Sequence, residues 1–183
     1  MQEGPNRPEP KPLKLDANTT AIAVLDLSRR CENPQEVCSK LLPSLGEFLA
    51  RARRVSVPIL YTISAAAKGT PLGEVAAPLD RRASEPTLYP DAFDKFFDGE
   101  LKGHLERWNC RSLVLVGSAT NFAVLYTATT AARIFRYDVV VPLDGVNAKQ
   151  NYEQEYAIHQ MTILPASAHE RFRFTRLAMV EFR

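Results

Sequence analysis

Four short apolar segments constrain the fold of this chain more than any other feature of its sequence. Each is rich in Val, Leu or Ile, and they occupy residues 20–26, 57–62, 112–117 and 138–142. Near-continuous apolar runs of this length are typical of strands that are buried on both faces of a parallel sheet. We therefore expect these segments to lie in one sheet whose two faces are both covered.

Segments with the spacing of amphipathic helices separate the strands. Apolar residues recur every three or four positions from Val37 to Arg54, and further helices are predicted at residues 98–108, 120–135 and 150–163. A last segment at residues 171–175 is predicted to be an edge strand. The alternation of strand and helix predicts an α/β fold: a doubly wound, mostly parallel sheet with helices on both faces.

The N-terminal residues 1–18 differ in composition from the rest of the chain, with prolines at positions 5, 8, 10 and 12 among charged residues. Proline removes a backbone donor and favours extended conformers, so we expect a flexible arm or one draped over the domain. Its apolar residues Leu13 and Leu15 are candidates for docking on a neighbouring subunit. Residues 19–183 are expected to form a single domain with a substantial core.

Charge and hydropathy argue against several classes of partner. The formal net charge is +2 and charged residues make up 24% of the chain, which predicts no binding to nucleic acid or to a membrane surface. No apolar run approaches the ~20 residues of a membrane span, and a polar, Pro-rich stretch stands where a signal peptide would be apolar. Three cysteines are an odd number, which favours a reducing compartment over a disulfide framework. We therefore expect a cytoplasmic protein.

The clearest candidates for chemistry lie where the predicted strands end, because open parallel sheets bind ligands at the carboxyl ends of their strands. Asp26 ends the first strand, where burial raises the pKa of a carboxyl group and suits it to acid–base chemistry. The alternative is that Asp26 caps the next turn. After Gly117, backbone N–H groups at a helix start can bind an anion or oxyanion, unless they form an ordinary turn. The candidate ligand-binding residues there are Ser118, Ala119, Thr120 and Asn121.

Four sequence motifs follow one another between residues 20 and 163. They are Val24–Cys31, Asp94–Leu101, Gly117–Val124 and Arg136–Asp144. In this order and with these gaps, they resemble the isochorismatase-like (cysteine hydrolase) family. The resemblance implies the same α/β fold, a small-molecule substrate, and a homodimer or homotetramer. It also implies a cis peptide bond between Ser118 and Ala119.

The residues that the family uses for catalysis are only partly present. Family hydrolases use an aspartate, a lysine and a cysteine, and the resemblance assigns the aspartate to Asp26 and the cysteine position to Ala123. Alanine has no nucleophile, which removes covalent acyl-enzyme chemistry at that position. The family lysine falls near Pro90; Lys95 replaces it if a local shift brings its ammonium group into the site, and otherwise it is a surface lysine. True isochorismatases also lack the cysteine, and they hydrolyse a vinyl ether with an aspartate as the acid.

Cys31 is a further candidate, since it follows Asp26 by five residues in a loop that borders the same crevice. It is either a displaced nucleophile, with a thiol pKa lowered by Arg29 or Arg30, or a small buried apolar residue. Its position near the predicted site also makes it a candidate substrate contact. The other two cysteines are expected to be structural.

Aromatic and histidine residues complete the candidates. Phe96 is selected as a substrate contact, within a group that forms either a pocket wall or part of the core: Tyr89, Phe93, Phe96 and Phe97. Metal-binding members of the family use an Asp-x-His pattern and a further histidine. The three histidines of this chain lie far from those positions, so no metal is expected. The sequence has neither a dinucleotide-binding nor a Walker pattern, and no other cofactor is expected.

Two functions remain open on the sequence alone, besides hydrolysis with Cys31 as the nucleophile. One is a hydrolase that cleaves a small-molecule amide or imide C–N bond, or a vinyl ether, without a cysteine nucleophile and with Asp26 as the acid or base. The other is a catalytically silent family member that binds a small metabolite or acts as an oligomeric partner. Asp26 and the turn at residues 117–120 favour the first function, whereas Ala123 and Pro90 favour the second.

Overall fold

The computed structural model describes residues 4–183 and contains one central parallel sheet. In chain order the strands are β1 (Leu13–Leu15), β2 (Thr20–Leu25), β3 (Ile59–Thr62), β4 (Thr87–Leu88), β5 (Ser112–Ser118), β6 (Asp138–Pro142), β7 (Val146–Asn147), β8 (Phe172–Thr175) and β9 (Val180–Phe182). The central sheet has the order β4–β3–β2–β5–β6–β8, and β7 pairs with the end of β5. All its strand pairs are parallel, which confirms the predicted parallel sheet.

Helices cover both faces of this sheet. Within residues 4–183 the α-helices are α1 (Leu42–Arg54), α2 (Glu100–Arg107), α3 (Leu125–Arg133) and α4 (Asn151–Thr162). Ile22 and Val24 of β2 lie in the core that α1 covers, and the intervening Ala23 lies in the core of α2, α3 and α4. Successive residues of a strand point to opposite faces, so β2 is buried on both. No helix in the described part of the chain combines the length and the apolar character needed to cross a membrane.

Element types agree with the sequence predictions, and the main differences are at helix starts. The segment from Val37 begins as a 3₁₀ turn, Val37–Leu41, and becomes α-helical only at Leu42, with Pro43 in the first turn. Proline is well tolerated there because the first N–H groups of a helix have no partner within it. Strand β8 lies at the edge of the sheet, as predicted for residues 171–175.

Of the two arrangements expected for the N-terminal arm, flexible or draped over the domain, the structure shows the draped one in the residues that it describes. β1 pairs in parallel with β9, and Leu15 is buried in the α1 core of its own chain instead of being left free for a neighbouring subunit. Further upstream, the Asn6 N–H donates to Nδ1 of His159 at 2.9 Å. The arm is therefore draped over the domain from Asn6 onwards, because its apolar residues find burial there. Residues 1–3 lie outside the described residues.

A disulfide joins Cys31 to Cys38, which corrects the expectation drawn from the odd number of cysteines. The bond links two 3₁₀ turns, Arg29–Glu32 and Val37–Leu41, in the loop that follows β2. Both sulfur-bearing residues are buried. The third cysteine, Cys110, is free, and burial raises the pKa of its thiol to about 12.

Candidate active site

A cavity of about 330 Å³ opens at the carboxyl ends of β2, β3 and β5. Because β2 lies between β3 and β5, the residues that follow these three strands meet at one place. We call this space the Asp26 cavity, and its lining residues are Asp26, Ser28, Arg30, Ile63, Ser64, Ala67, Leu72, Phe93, Ser118, Ala119, Phe122 and Ala123.

Asp26 is held at one side of the cavity by the neighbouring strand and by a lysine. Its N–H donates to the Thr62 carbonyl oxygen at 2.8 Å, and the Thr62 hydroxyl donates to Asp26 Oδ1 at 3.3 Å. Its backbone has a φ of 57°, a left-handed conformation that aspartate adopts more readily than most residues. Burial raises the pKa of the Asp26 carboxyl group, although Lys95, Thr62 and Arg30 partly oppose this effect. Asp26 is thus suited to carry a proton at a higher pH than an exposed aspartate.

Lys95 lies against Asp26 and is not a surface lysine. Its Nζ is 2.9 Å from Asp26 Oδ2, and its side chain is only 2% exposed. The same Nζ donates to the Ala92 carbonyl oxygen at 3.1 Å. Pro90, where the motif spacing placed the family lysine, does not line the cavity. The loop before α2 therefore brings Lys95 to the site, five residues beyond the expected position.

The end of β5 forms the opposite wall. A Cβ atom at Gly117 would lie 2.1 Å from the Leu25 carbonyl oxygen, and its φ is 128°, so this position requires glycine. The next peptide bond, between Ser118 and Ala119, is cis, as the family resemblance implied. Ser118 and Ala119 line the cavity, and the Ser118 hydroxyl donates to the Asn147 carbonyl oxygen at 3.4 Å.

Ala123 lies in the π-helical turn Thr120–Val124 and lines the same cavity as Asp26. Its methyl group stands where the family resemblance places a thiol, and it supplies no nucleophile. Within residues 4–183, the side chains that hydrogen-bond to the Asp26 carboxylate belong to Thr62 and Lys95. No serine of the described chain is therefore paired with Asp26 as an activated nucleophile.

Two residues of the predicted turn do not line the cavity. Thr120 is fully buried, and its hydroxyl donates to the Gln154 side chain, which ties the turn to α4. The Asn121 side chain is also absent from the lining, and its Oδ1 is buried without a hydrogen-bond partner. Thr120 is a packing residue because the π-helical turn directs it towards α4.

Phe96 and Cys31, which were predicted as substrate contacts, also do not line the Asp26 cavity. Phe96 is buried in the core, with its ring 4.9 Å from that of Phe135. Cys31 is bonded to Cys38 and is fully buried, so it has no free thiol. The prediction of a displaced nucleophile at Cys31 is therefore wrong for this structure.

Other residues that line the Asp26 cavity were not among the site residues predicted from the sequence. Phe93 and Phe122 stack with 5.0 Å between ring centroids at the mouth of the cavity, where they are 58% and 45% exposed. Ser64 lies two residues after the end of β3, so its position at a strand end was the signal that could have identified it. Arg30 contributes a guanidinium group that pairs with Glu36. The cavity is therefore apolar at its mouth with polar groups on its walls.

The described residues contain no group of three or more His, Cys, Asp or Glu side chains placed to bind a metal ion. His104 and His159 lie on α2 and α4, and His169 lies in the 3₁₀ turn Ala168–Arg171 before β8. None of the three histidines lines the Asp26 cavity.

The fold matches that of several solved structures. An isochorismatase family protein from Desulfovibrio vulgaris subsp. vulgaris str. Hildenborough is 22% identical, with a TM-score of 0.75 over 87% of this chain and 95% of that chain. N-carbamoylsarcosine amidase from Thermoplasma acidophilum is 18% identical, with a TM-score of 0.72 over 87% and 96% of the two chains. Pyrazinamidase/nicotinamidase from Streptococcus mutans UA159 is 16% identical, with a TM-score of 0.70 over 79% and 96%.

At these identities, the structural similarity establishes the fold alone. No curated protein matches the chain in sequence. The family model of the isochorismatase domain, however, matches residues 20–170, which are most of the chain and contain every residue that lines the Asp26 cavity. The chain therefore belongs to the isochorismatase family of hydrolases.

Proposed function

We propose that this protein hydrolyses a small molecule by acid–base chemistry at Asp26, without a covalent intermediate at residue 123. The main support for this proposal is the Asp26–Lys95 pair. Its carboxylate and ammonium groups are 2.9 Å apart and mostly buried, and Asp26 lines the same cavity as Ala123. Desolvating two charges is costly even when they are paired, and perturbed carboxyl groups in clefts are concentrated at functional sites.

A vinyl ether is the substrate group that suits this arrangement best, since its hydrolysis needs an acid and water but no nucleophilic side chain. The protonated Asp26 carboxyl group gives its proton to the terminal carbon of the double bond, and the ether carbon becomes an oxocarbenium ion. Water adds to that carbon and returns a proton to the Asp26 carboxylate. The resulting hemiketal then separates into a ketone and an alcohol. The raised pKa of Asp26 supports the first step, because a general acid works best when its pKa is near the operating pH.

Lys95 acts on the substrate only through Asp26, since its side chain does not line the cavity. Its ammonium group orients Asp26 Oδ2 and stabilises the carboxylate that remains after proton transfer. Phe93, Phe122 and Leu72 form an apolar mouth that would shield a bound substrate from bulk water and so strengthen this electrostatic effect.

An amide or imide C–N bond is a second substrate class for the same residues. Asp26 would then act as a base on water, and the backbone of the Ser118–Ala123 turn would stabilise the oxyanion. Two structural neighbours, named as an amidase and a nicotinamidase, support this class. Ala123 counts against it, because water is a weaker nucleophile than a thiolate for an unstrained amide.

A catalytically silent protein that binds a small metabolite is the second candidate function. Ala123 favours it, because the substitution of a methyl group for a nucleophile leaves a cavity that can bind without reacting. A homodimer or homotetramer is part of either proposal, and size-exclusion chromatography with light scattering measures it directly.

The test is turnover and thermal shift with vinyl ethers, cyclic imides and small amides, for the native protein and for Asp26→Asn. Turnover that falls at least about 100-fold in the variant supports the hydrolase, since acid–base groups contribute 10²–10⁴-fold. Asp91→Asn is the matched control, because Asp91 is exposed and outside the cavity lining. Ligand-induced stabilisation without turnover would support the silent binding protein, and equal turnover by native and Asp26→Asn protein would reject Asp26.

A further inference from the structure

Lys95 reaches Asp26 from a segment with no regular secondary structure, between β4 and α2. Such segments are usually more mobile than the helices and strands that they connect. The Lys95 side chain is also long, and ordering it costs conformational entropy. An additional set of contacts must therefore keep its ammonium group at Asp26.

Thr127 provides the first of these contacts. It lies on α3 and is fully buried, and its hydroxyl oxygen accepts a hydrogen bond from the Lys95 N–H at 3.0 Å. The same hydroxyl donates to the Phe93 carbonyl oxygen at 3.4 Å. One side chain thus binds the backbone on both sides of Asp94. Because Thr is branched at Cβ, its rotamer is restricted and the hydroxyl has a defined direction.

Thr130 provides the second contact, one helical turn along α3 from Thr127. Its hydroxyl donates to Asp94 Oδ2 at 2.6 Å, while Asp94 Oδ1 accepts the N–H of Phe96 at 3.0 Å. Residues three apart on a helix lie on the same face, so both threonines face the segment that contains Lys95. The segment is therefore fixed at Phe93, Asp94, Lys95 and Phe96.

α3 also begins directly after the π-helical turn that contains Ala123. One helix is consequently joined to the cavity wall at its N-terminus and holds the Lys95 segment along its side. Movement of α3 would change the position of both at once.

We propose that Thr127 is a positioning residue that holds Lys95 against Asp26, with Thr130 supporting it through Asp94. The role of this contact in catalysis rests on the proposed function, but the contact itself is measurable without turnover. Removal of the Thr127 hydroxyl leaves the Lys95 N–H without its partner in a buried place, and the segment moves to find another. The ammonium group then leaves Asp26, and the Asp26 carboxyl group loses the charge that opposes the effect of burial.

The experiment is the titration of Asp26 by carbon-detected NMR of protein labelled at the aspartate carboxyl carbon, with Asp26→Asn to assign the signal. The charged groups that act on Asp26 are Lys95 and Arg30, so Lys95→Met gives the full effect of losing the lysine. Thr127→Val is expected to move the Asp26 pKa upwards by at least half of the shift that Lys95→Met causes. In the Lys95→Met background, Thr127→Val is expected to add little.

Matched variants separate positioning from general packing. Thr127→Ser keeps the hydroxyl and is expected to restore the native titration. Thr129→Val is the control on the same helix, because the Thr129 hydroxyl bonds only to the Leu125 carbonyl oxygen, and it is expected to leave the titration unchanged. Thr130→Val is expected to raise the Asp26 pKa by a smaller amount. If Thr127→Val does not fold, the Asp26 titration of Thr130→Val tests the proposal in its place.

A native Asp26 titration in folded Thr127→Val, or in Thr130→Val when Thr127→Val is unfolded, would overturn the proposal. An upward shift in Thr127→Val, with no further shift when it is added to Lys95→Met and with a native-like Thr127→Ser, would support it. Failure of the proposed hydrolase would leave these titrations unaffected, so the two outcomes are distinguishable.

Discussion

The two walls of the Asp26 cavity differ in how many of the catalytic groups implied by the family resemblance they contain. On one side, Asp26 and Lys95 form a buried ion pair at 2.9 Å. On the other side, the end of β5 keeps its glycine and its cis peptide bond, but Ala123 occupies the place of the nucleophile. This difference is the basis of the proposal that Asp26 acts by acid–base chemistry without a covalent step at residue 123. A reaction that needs a proton and water is compatible with this combination.

Lys95→Met is expected to have the largest effect on the acid–base wall. It removes one partner of a mostly buried pair, which costs roughly 3 kcal/mol and, for a chain of this size, lowers Tm by about 6–12 °C. The loss depends on pH. Because the pKa of Asp26 is raised in the folded protein, folding favours proton binding at this carboxyl group, and the stability that this contributes is lost as pH rises through the folded pKa.

Removal of Lys95 raises that pKa further, so the difference in Tm between native and Lys95→Met is expected to grow from pH 4 to pH 8. Thermal unfolding across this pH range measures it. A difference that is constant, or that shrinks as pH rises, would show that Lys95 does not act on the Asp26 carboxylate.

The second largest effect is expected from the disulfide beside the cavity. The bond between Cys31 and Cys38 closes a short loop, whose loss costs roughly 2–3 kcal/mol through the entropy of the unfolded chain. Ser28 and Arg30, which directly precede this closed loop, line the cavity. We therefore expect reduced protein, and the Cys31→Ala/Cys38→Ala variant, to unfold at lower temperature and to bind ligands more weakly. Mass spectrometry of alkylated protein checks the redox state, and equal Tm values with and without reductant would contradict the prediction.

A smaller effect is expected at the mouth of the cavity. Phe122 stacks on Phe93 and is half-exposed, so Phe122→Ala is expected to cost about 1 kcal/mol of ligand binding and little stability. Calorimetry with a ligand found in the thermal-shift screen measures this as a roughly fivefold weaker Kd. Tyr152→Ala is a matched control, because Tyr152 is exposed on α4 and does not line the cavity. An unchanged Kd in Phe122→Ala would show that the stacked pair Phe93 and Phe122 does not contribute to ligand binding.

An effect of similar size, on stability instead of ligand binding, is expected from restoring a thiol to the opposite wall. Ala123→Cys adds one sulfur atom to a buried position, and we expect a loss of roughly 1–2 kcal/mol in stability from crowding. Its thiol lines the cavity with Asp26, so iodoacetamide is expected to label it, whereas Cys110 stays unlabelled because the pKa of its buried thiol is about 12. Labelling that is blocked by a bound ligand would place residue 123 in the ligand site. A thiol that is not labelled would show that this wall is closed to small molecules.

The sequence predicted the sheet and the place of Asp26 because both depend on local pattern. A near-continuous apolar run identified β2, and the residue after it lies at the carboxyl end of a parallel strand. The position of Lys95 was not predictable in the same way. It depends on hydrogen bonds between a loop and Thr127, 32 residues away in sequence.

The disulfide and the core position of Phe96 were missed for a related reason. Cysteine number carries no information on distance, and here two 3₁₀ turns bring Cys31 and Cys38 together. Phe96 and Phe93 are three residues apart in an irregular loop, where no periodicity tells which side chain is buried. Phe96 packs on Phe135 in the core, and Phe93 packs on Phe122 at the cavity mouth.

Hydrolysis of a vinyl ether in ²H₂O, followed by NMR for the native protein and for Asp26→Asn, tests the central claim most directly. Asp26 exchanges its proton with solvent, so a transfer from Asp26 to carbon leaves one deuterium on the carbon that was the end of the double bond. We predict a ketone product with that single deuterium from the native protein and at least about 100-fold slower formation by Asp26→Asn. Binding of vinyl ethers without hydrolysis, or equal rates for the two proteins, would contradict the assignment of Asp26 as the acid.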